Sequence, residues 1–255
     1  MPADATPFPL RLRLAGGLVH LYTASGSVLA LLIVLAAFEG EAVTALWLGL
    51  ATLFIDGTDG LLARRMRVKE TIPWFDGARL DDIVDYLTYV FAPLVLLWTT
   101  GALPHGPAGW ALAALPLLAS SYQFCRVDAK TDDNTFLGFP SYWNVVAFYA
   151  VVLDLGRPAV AAVLVICSVL VFVPVRYLYP SRTQALRTLS LVLTAVWVGT
   201  YALLLVQYPD PNPVVVVFSL AYLVYYVAVS GWLTAAAARR RRQGDRVATA
   251  GRPAA

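Results

Sequence analysis

Long uninterrupted runs of apolar residues constrain this sequence more than any other feature. Of its 255 residues, 59% are hydrophobic and only 14% are charged, which is less charge than a soluble domain of this length carries. The runs are long enough to cross about 30 Å of hydrocarbon as helices, which takes roughly 20 residues each. Short alternating segments, typical of a β-barrel, do not occur. We therefore predict an all-α fold, a polytopic bundle of transmembrane helices.

The chain divides into about eight candidate spans, joined by short turns rich in proline and glycine. They cover residues 17–38, 42–64, 80–100, 108–126, 142–156, 159–178, 187–207 and 214–236. The residues before them, through Leu14, are expected to lie along the membrane surface. Because no soluble domain is evident, we predict one integral membrane domain over residues 1–255, with a basic cytoplasmic tail at 239–255.

The distribution of basic residues predicts how the chain is oriented in the membrane. Loops that would share a side with the N-terminus contain most of them: Arg65, Arg67, Lys69, Arg126, Lys130, Arg176, Arg182, Arg187 and the arginines at 239–242. The opposite loops contain one basic residue, Arg157. Since basic loops stay in the cytoplasm, both termini are predicted there. The C-terminal arginines follow an apolar run directly, so we interpret them as a topology signal that also contacts lipid headgroups, and expect no nucleic-acid partner.

Regularly spaced aspartates lie at the end of the second predicted span and the start of the third. Asp56 and Asp59 are three residues apart in the second span. In the third, Gly77, Asp81 and Asp85 follow one another at steps of four. Each set therefore shares one helical face, and the short turn between the spans lets the two faces meet. Ionised carboxylates at membrane depth are costly and are rarely kept without a partner or a function.

Four carboxylates that meet in this way cannot all stay ionised without cations. All-oxygen ligands suit hard divalent ions, so the pattern predicts Mg²⁺ or Mn²⁺, as one ion or two close together. Such ions clamp phosphate oxygens and neutralise charge during a displacement at phosphorus. Gly60, Ala63 and Gly77 leave room for a nucleotide to approach the backbone. Arg64 can fork onto phosphate oxygens.

The spacing of these residues resembles the signature of the CDP-alcohol phosphotransferases. The pattern is Asp56-x2-Asp59-Gly60-x2-Ala63-Arg64, then Gly77-x3-Asp81-x3-Asp85, with every fixed position filled. Members of that family exchange CMP on a CDP-linked donor for an alcohol, using divalent metal. The resemblance implies an enzyme with two metal ions, held by Asp56, Asp59, Asp81 and Asp85. It also implies that Asp85 is the general base, and that the CDP site is lined by Gly60, Ala63, Arg64 and Gly77.

Twelve residues separate Arg64 from Gly77, more than is usual in the family. The longer spacing is similar to that of the bacterial phosphatidylcholine synthases, as are the eight spans and the segment Phe139-Pro140-Ser141-Tyr142-Trp143-Asn144. The resemblance implies transfer of the phosphatidyl group of CDP-diacylglycerol to choline. It further implies a homodimer in the bacterial inner membrane, with the active site facing the cytoplasm.

Choline is a quaternary ammonium, which binds best over aromatic faces with negative charge nearby. We predict a choline site formed by Tyr142, Trp143 and Asn144, with Tyr86 beside the catalytic aspartate. Within the family, phosphatidylinositol phosphate, phosphatidylglycerophosphate and phosphatidylserine synthases stay open as alternatives. A cation transporter is the alternative from a different class. It would explain acidic residues in membrane helices, but not the glycines, alanine and arginine around them.

Overall fold

The apolar runs fold into helices in the computed structural model, which describes residues 8–250. In chain order the helical elements are α1 (Leu10–Phe38), α2 (Ala42–Arg65), α3 (Val68–Thr71), α4 (Gly77–Asp85), a π-helical turn (Tyr86–Phe91), α5 (Ala92–Thr99), α6 (Pro107–Cys125), α7 (Trp143–Val152), α8 (Arg157–Phe172), α9 (Arg187–Gln207) and α10 (Pro213–Ala250). Two short strands, β1 (Thr135–Leu137) and β2 (Arg176–Leu178), pair antiparallel. The end of the predicted basic tail, residues 251–255, lies outside the described residues.

The helices follow the predicted spans, with four main differences at their ends. The predicted span 159–178 is wrong at its C-terminal end, because α8 ends at Phe172 and residues Arg176–Leu178 form β2. α1 begins at Leu10, so residues 10–14 continue the first helix instead of preceding it. α10 continues to Ala250, beyond the predicted end at 236. The predicted span 142–156 contains only α7, whose 10 residues reach about 15 Å along the helix axis. The small β1–β2 sheet was not predicted, because strands of three residues are too short to show an alternating pattern.

Among the described residues, four helices are long and apolar enough to cross a membrane: α1, α2, α9 and the 213–240 part of α10. α7 and α8 are also apolar but shorter. The fold prediction is confirmed at this level, as an all-α protein with helices suited to the membrane.

The chain forms two compact units. Among the described residues, the first unit contains residues 8–117 together with Tyr142–Val163, and the second contains Leu118–Ser141 and residues 164–250. In the second unit β2 is bonded to α10, where Leu178 N donates to Ser230 Oγ at 3.0 Å. One catalytic domain over residues 1–255 stays a prediction.

In the first unit, glycines of α1 let neighbouring elements approach closely. A Cβ added at Gly26 would lie 2.5 Å from Val84 Cγ1 on α4, and one at Gly16 would lie 3.0 Å from Ile72 Cδ1. Asp76 caps the N-terminus of α4. Its carboxylate accepts hydrogen bonds from the backbone N–H groups of Ala78 and Arg79, each at 3.1 Å. This packing brings α4 against α1, and residues of α4 line one small cavity together with residues of α1 and α2.

Candidate active site

Three of the predicted aspartates converge in the first unit. Asp56 on α2 and Asp81 and Asp85 on α4 each offer a carboxylate oxygen, and these oxygens lie within 4.8 Å of one another. All three side chains are half-buried. Asp81 and Asp85 point the same way because they are one helical turn apart, and Asp56 meets them from α2. The structure therefore brings the two acidic faces together.

The fourth aspartate, Asp59, lines the same small cavity but is held differently. Its side chain is buried, and Thr23 Oγ1 on α1 donates to Asp59 Oδ2 at 2.8 Å. The group of carboxylates whose oxygens all lie within 4.8 Å of one another does not include Asp59, although the Asp59 side chain also interacts with that of Asp81. Three of the four motif aspartates thus form the closest group, and the fourth meets Asp81 while it is also bonded to α1.

Tyr89, on the π-helical turn, is a site residue that the sequence analysis missed. Its hydroxyl donates to Asp56 Oδ2 at 2.6 Å, and its side chain is buried. A signal for it was available, because Tyr89 continues the step of four that links Gly77, Asp81 and Asp85. π-Helical turns also occur frequently at functional sites.

The residues expected to line the CDP site lie at the end of α2 and the start of α4. Arg64 is exposed, whereas Gly60, Ala63 and Gly77 are half-buried. A Cβ at Gly60 would lie 3.3 Å from Arg64 Nη1, so the glycine leaves room for the arginine side chain along α2. A Cβ at Gly77 would lie only 2.6 Å from Cε1 of His20 on α1. Helix packing is therefore one physical reason for glycine at position 77.

Two of the residues predicted for choline, Tyr142 and Trp143, differ in exposure. Tyr142 is half-buried at the N-terminus of α7, and its ring centroid lies 6.1 Å from that of Tyr89. Trp143 follows it and is fully buried. The ring of Tyr142 thus lies beside that of Tyr89, which in turn contacts Asp56 of the acidic cluster. Trp143 packs in the core.

The other two, Asn144 and Tyr86, have hydrogen bonds that orient part of each side chain. Asn144 is buried, and its Oδ1 accepts from the backbone N–H of Val145 at 2.9 Å. Tyr86 is half-buried, and its hydroxyl donates to the carbonyl of Leu117 on α6 at 3.1 Å. The phenol of Tyr86 is therefore directed at α6.

The chemistry of the convergent carboxylates fits a hard divalent cation. Three negative charges within 4.8 Å repel one another, so ionisation of all three requires a compensating positive charge. Oxygen ligands are those that Mg²⁺ and similar ions take in proteins, usually with water and substrate phosphates completing the shell. Asp56, Asp81 and Asp85 can therefore hold a metal ion.

Comparison with known proteins finds relatives over nearly the whole chain. A protein of Pseudomonas aeruginosa named phosphatidylcholine synthase is 39% identical over 236 residues, which cover 92% of this chain and 98% of that one. The phosphatidylcholine synthases of Legionella pneumophila and Agrobacterium fabrum are also 39% identical, over 89% and 84% of this chain and 92% and 89% of their own lengths. No protein-family model matches the chain.

Proposed function

This chain belongs to the bacterial phosphatidylcholine synthases, and from that premise we propose that it transfers the phosphatidyl group of CDP-diacylglycerol to choline. The products are phosphatidylcholine and CMP. The observation that carries the proposal is the convergence of Asp56, Asp81 and Asp85 at the positions of the aspartate motif. Their oxygens line a cavity in a helical unit suited to the membrane, where a lipid donor is at hand.

The proposed cofactor is a pair of divalent ions, Mn²⁺ or Mg²⁺, held by Asp56, Asp59, Asp81 and Asp85. When bound, such ions supply charge neutralisation for the diphosphate of the donor and for the departing CMP. The three convergent carboxylates support the binding of a metal ion at this site. Asp59 supports it through its place in the same cavity, where Thr23 holds one of its oxygens.

In the proposed reaction, Asp85 accepts the proton of the choline hydroxyl. The freed oxygen attacks the phosphorus atom nearest the lipid, and the bond from that phosphorus to the oxygen of the CMP group breaks. Arg64 binds the diphosphate through paired N–H groups, and its exposure at the end of α2 leaves it accessible to a headgroup. Gly60, Ala63 and Gly77 line the CDP moiety beside it. Phosphatidylcholine stays in the bilayer.

The proposed choline site centres on Tyr142. Its ring lies beside Tyr89, which is bonded to Asp56, so a cation there would have both an aromatic face and negative charge nearby. Trp143 and Asn144 follow it on α7 and set its position. Tyr86 contributes its ring alone, since its hydroxyl is bonded to α6.

The proposed topology has eight crossings, with both termini and the active site on the cytoplasmic side of the inner membrane. It is supported by the basic residues that follow α2, α6 and α8, and by their scarcity in the opposite loops. The helical stretch from Gly77 to Thr99 serves as the third crossing. α7 is short and largely buried, which suits a helix enclosed by protein. A homodimer is expected from the family resemblance.

The test is product formation by the purified protein with CDP-diacylglycerol and Mn²⁺. Choline, serine, inositol, inositol phosphate and glycerol phosphate are supplied separately. Phosphatidylcholine with choline alone is the expected result. Product with another alcohol would support the assignment as a CDP-alcohol phosphotransferase but reject choline as the acceptor. An absence of CMP with every acceptor would favour a transporter.

A further inference from the structure

We infer that Tyr89 is a positioning residue, whose hydroxyl holds one oxygen of Asp56 so that the carboxylate stays aimed at the divalent cation. The inference rests on the proposed metal-dependent function. It concerns a residue outside the aspartate motif, on the π-helical turn that follows Asp85.

Tyr89 contacts Asp56 directly. Tyr89 Oη lies 2.6 Å from Asp56 Oδ2, a short distance typical of a hydroxyl that donates to an ionised carboxylate. Bonds to charged groups are stronger than neutral ones, so this one restricts rotation of the carboxylate about its Cβ–Cγ bond. Asp56 comes from α2, whereas Asp81 and Asp85 share α4. The carboxylate that Tyr89 holds is thus the one that must be brought to the other two from a separate helix.

The tyrosine that donates this hydrogen bond is held rigidly. Tyr89 is only 5% exposed, so its ring has little freedom to leave the contact. It belongs to the same continuous helical stretch as Asp81 and Asp85, which ties the position of the hydroxyl to the position of those carboxylates. The ring of Tyr142 lies against it on the side of α7. A donor fixed in this way can orient a metal ligand, as partners outside the coordination shell do in other metal sites.

A positioning role for Tyr89 differs from simple stabilisation of the fold in its effect on metal binding. A buried hydroxyl bonded to a carboxylate stabilises the fold whether or not a metal binds. A positioning role predicts in addition that removal of the hydroxyl lowers the affinity for the metal ion. Without that hydrogen bond, the Asp56 carboxylate samples orientations that do not face Asp81 and Asp85. Metal affinity is therefore the quantity that distinguishes the two.

The experiment measures Mn²⁺ binding to the purified full-length protein, wild type and Tyr89→Phe, by calorimetric titration in detergent without substrate. Phenylalanine keeps the ring and removes one oxygen, so the variant is expected to fold, with its melting temperature as the check. We expect Mn²⁺ affinity to fall about tenfold or more. Tyr225→Phe is the matched control, because it removes a hydroxyl bonded at 2.8 Å to Ser190 in the other compact unit. It should leave Mn²⁺ affinity unchanged.

A second comparison places Tyr89→Phe in an Asp56→Asn background. If the tyrosine acts through Asp56, its removal there should change Mn²⁺ affinity by about twofold or less. Equal affinity of wild type and Tyr89→Phe would overturn the inference, and so would a tenfold loss that persists with Asp56→Asn. A parallel product assay judges the proposed function separately. Wild-type protein that binds Mn²⁺ but makes no phosphatidylcholine would reject the proposed reaction, and the binding data would still decide the role of Tyr89.

Discussion

Thr23 is predicted to hold Asp59 in place, and replacement by valine tests this with almost no change in shape. Thr23→Val removes the hydroxyl that donates to Asp59 Oδ2 at 2.8 Å. Both residues are buried, at 5% and 6% exposure, so water cannot readily replace the lost donor. A hydrogen bond to a charged group contributes about 1.5–3 kcal/mol. We therefore expect a loss of about 2 kcal/mol in the free energy of unfolding, a factor of about 30 in the folding equilibrium.

Thr52→Val provides the control for this measurement. Thr52 lines the same cavity and is 3% exposed, but its hydroxyl donates to the carbonyl of Gly49 in its own helix. The Gly49 carbonyl also takes part in the backbone hydrogen bonds of the helix, with or without the Thr52 hydroxyl. Thr52→Val should therefore lower the free energy of unfolding by well under half as much as Thr23→Val. Reversible unfolding in mixed micelles measures both, and Thr23→Ser should restore most of the stability. Equal destabilisation by the two valine substitutions would refute the assignment of Thr23 as the partner of Asp59.

Four further predictions concern the chemistry and packing of the site. Asp85→Asn should lower CMP release at least a hundredfold with little change in melting temperature, since a general base contributes about 10²–10⁴ in rate; normal turnover would remove Asp85 from that role. Tyr142→Ala should raise the KM for choline more than that for CDP-diacylglycerol, and an unchanged choline KM would reject the proposed cation site. Trp143→Ala is expected instead to destabilise the protein by about 3–5 kcal/mol, because that side chain is fully buried. Gly77→Ala should destabilise it through the 2.6 Å approach to His20, and His20→Ala should relieve much of that loss, as a melting-temperature series would reveal; no relief would mean that the glycine is required for another reason.

Most of the helices could be predicted from the local pattern of apolar residues. α2 begins at the predicted residue, and α9 has the predicted ends at both termini, because a run of apolar residues bounded by proline, glycine and charge leaves few alternatives in a membrane. The ends of α7 could not be predicted in this way. Its predicted span was longer by several residues, since apolar composition alone does not distinguish a crossing helix from a short buried one.

The part of the candidate site that could be predicted is the set of residues sharing a face of a single helix. Steps of three and four placed Asp56 with Asp59, and Asp81 with Asp85, because the α-helical period assigns residues to a face of their own helix. The same spacing extended to Tyr89, although its chemical relation to Asp56 was not evident. That relation joins residues 33 apart in the chain.

Spacing along the chain was enough to predict the helical membrane fold, the shared helical faces of the aspartates and a cation site among them. The rotation of each helix about its axis relative to its neighbours is not encoded in any local period, because it results from side-chain packing between elements distant in sequence. That packing sets Thr23 against Asp59, a pair 36 residues apart, and His20 against Gly77. That packing therefore makes Asp56, Asp81 and Asp85 the closest group and gives Asp59 a bond to α1 in addition to its interaction with Asp81, a distinction that depends on the folded protein.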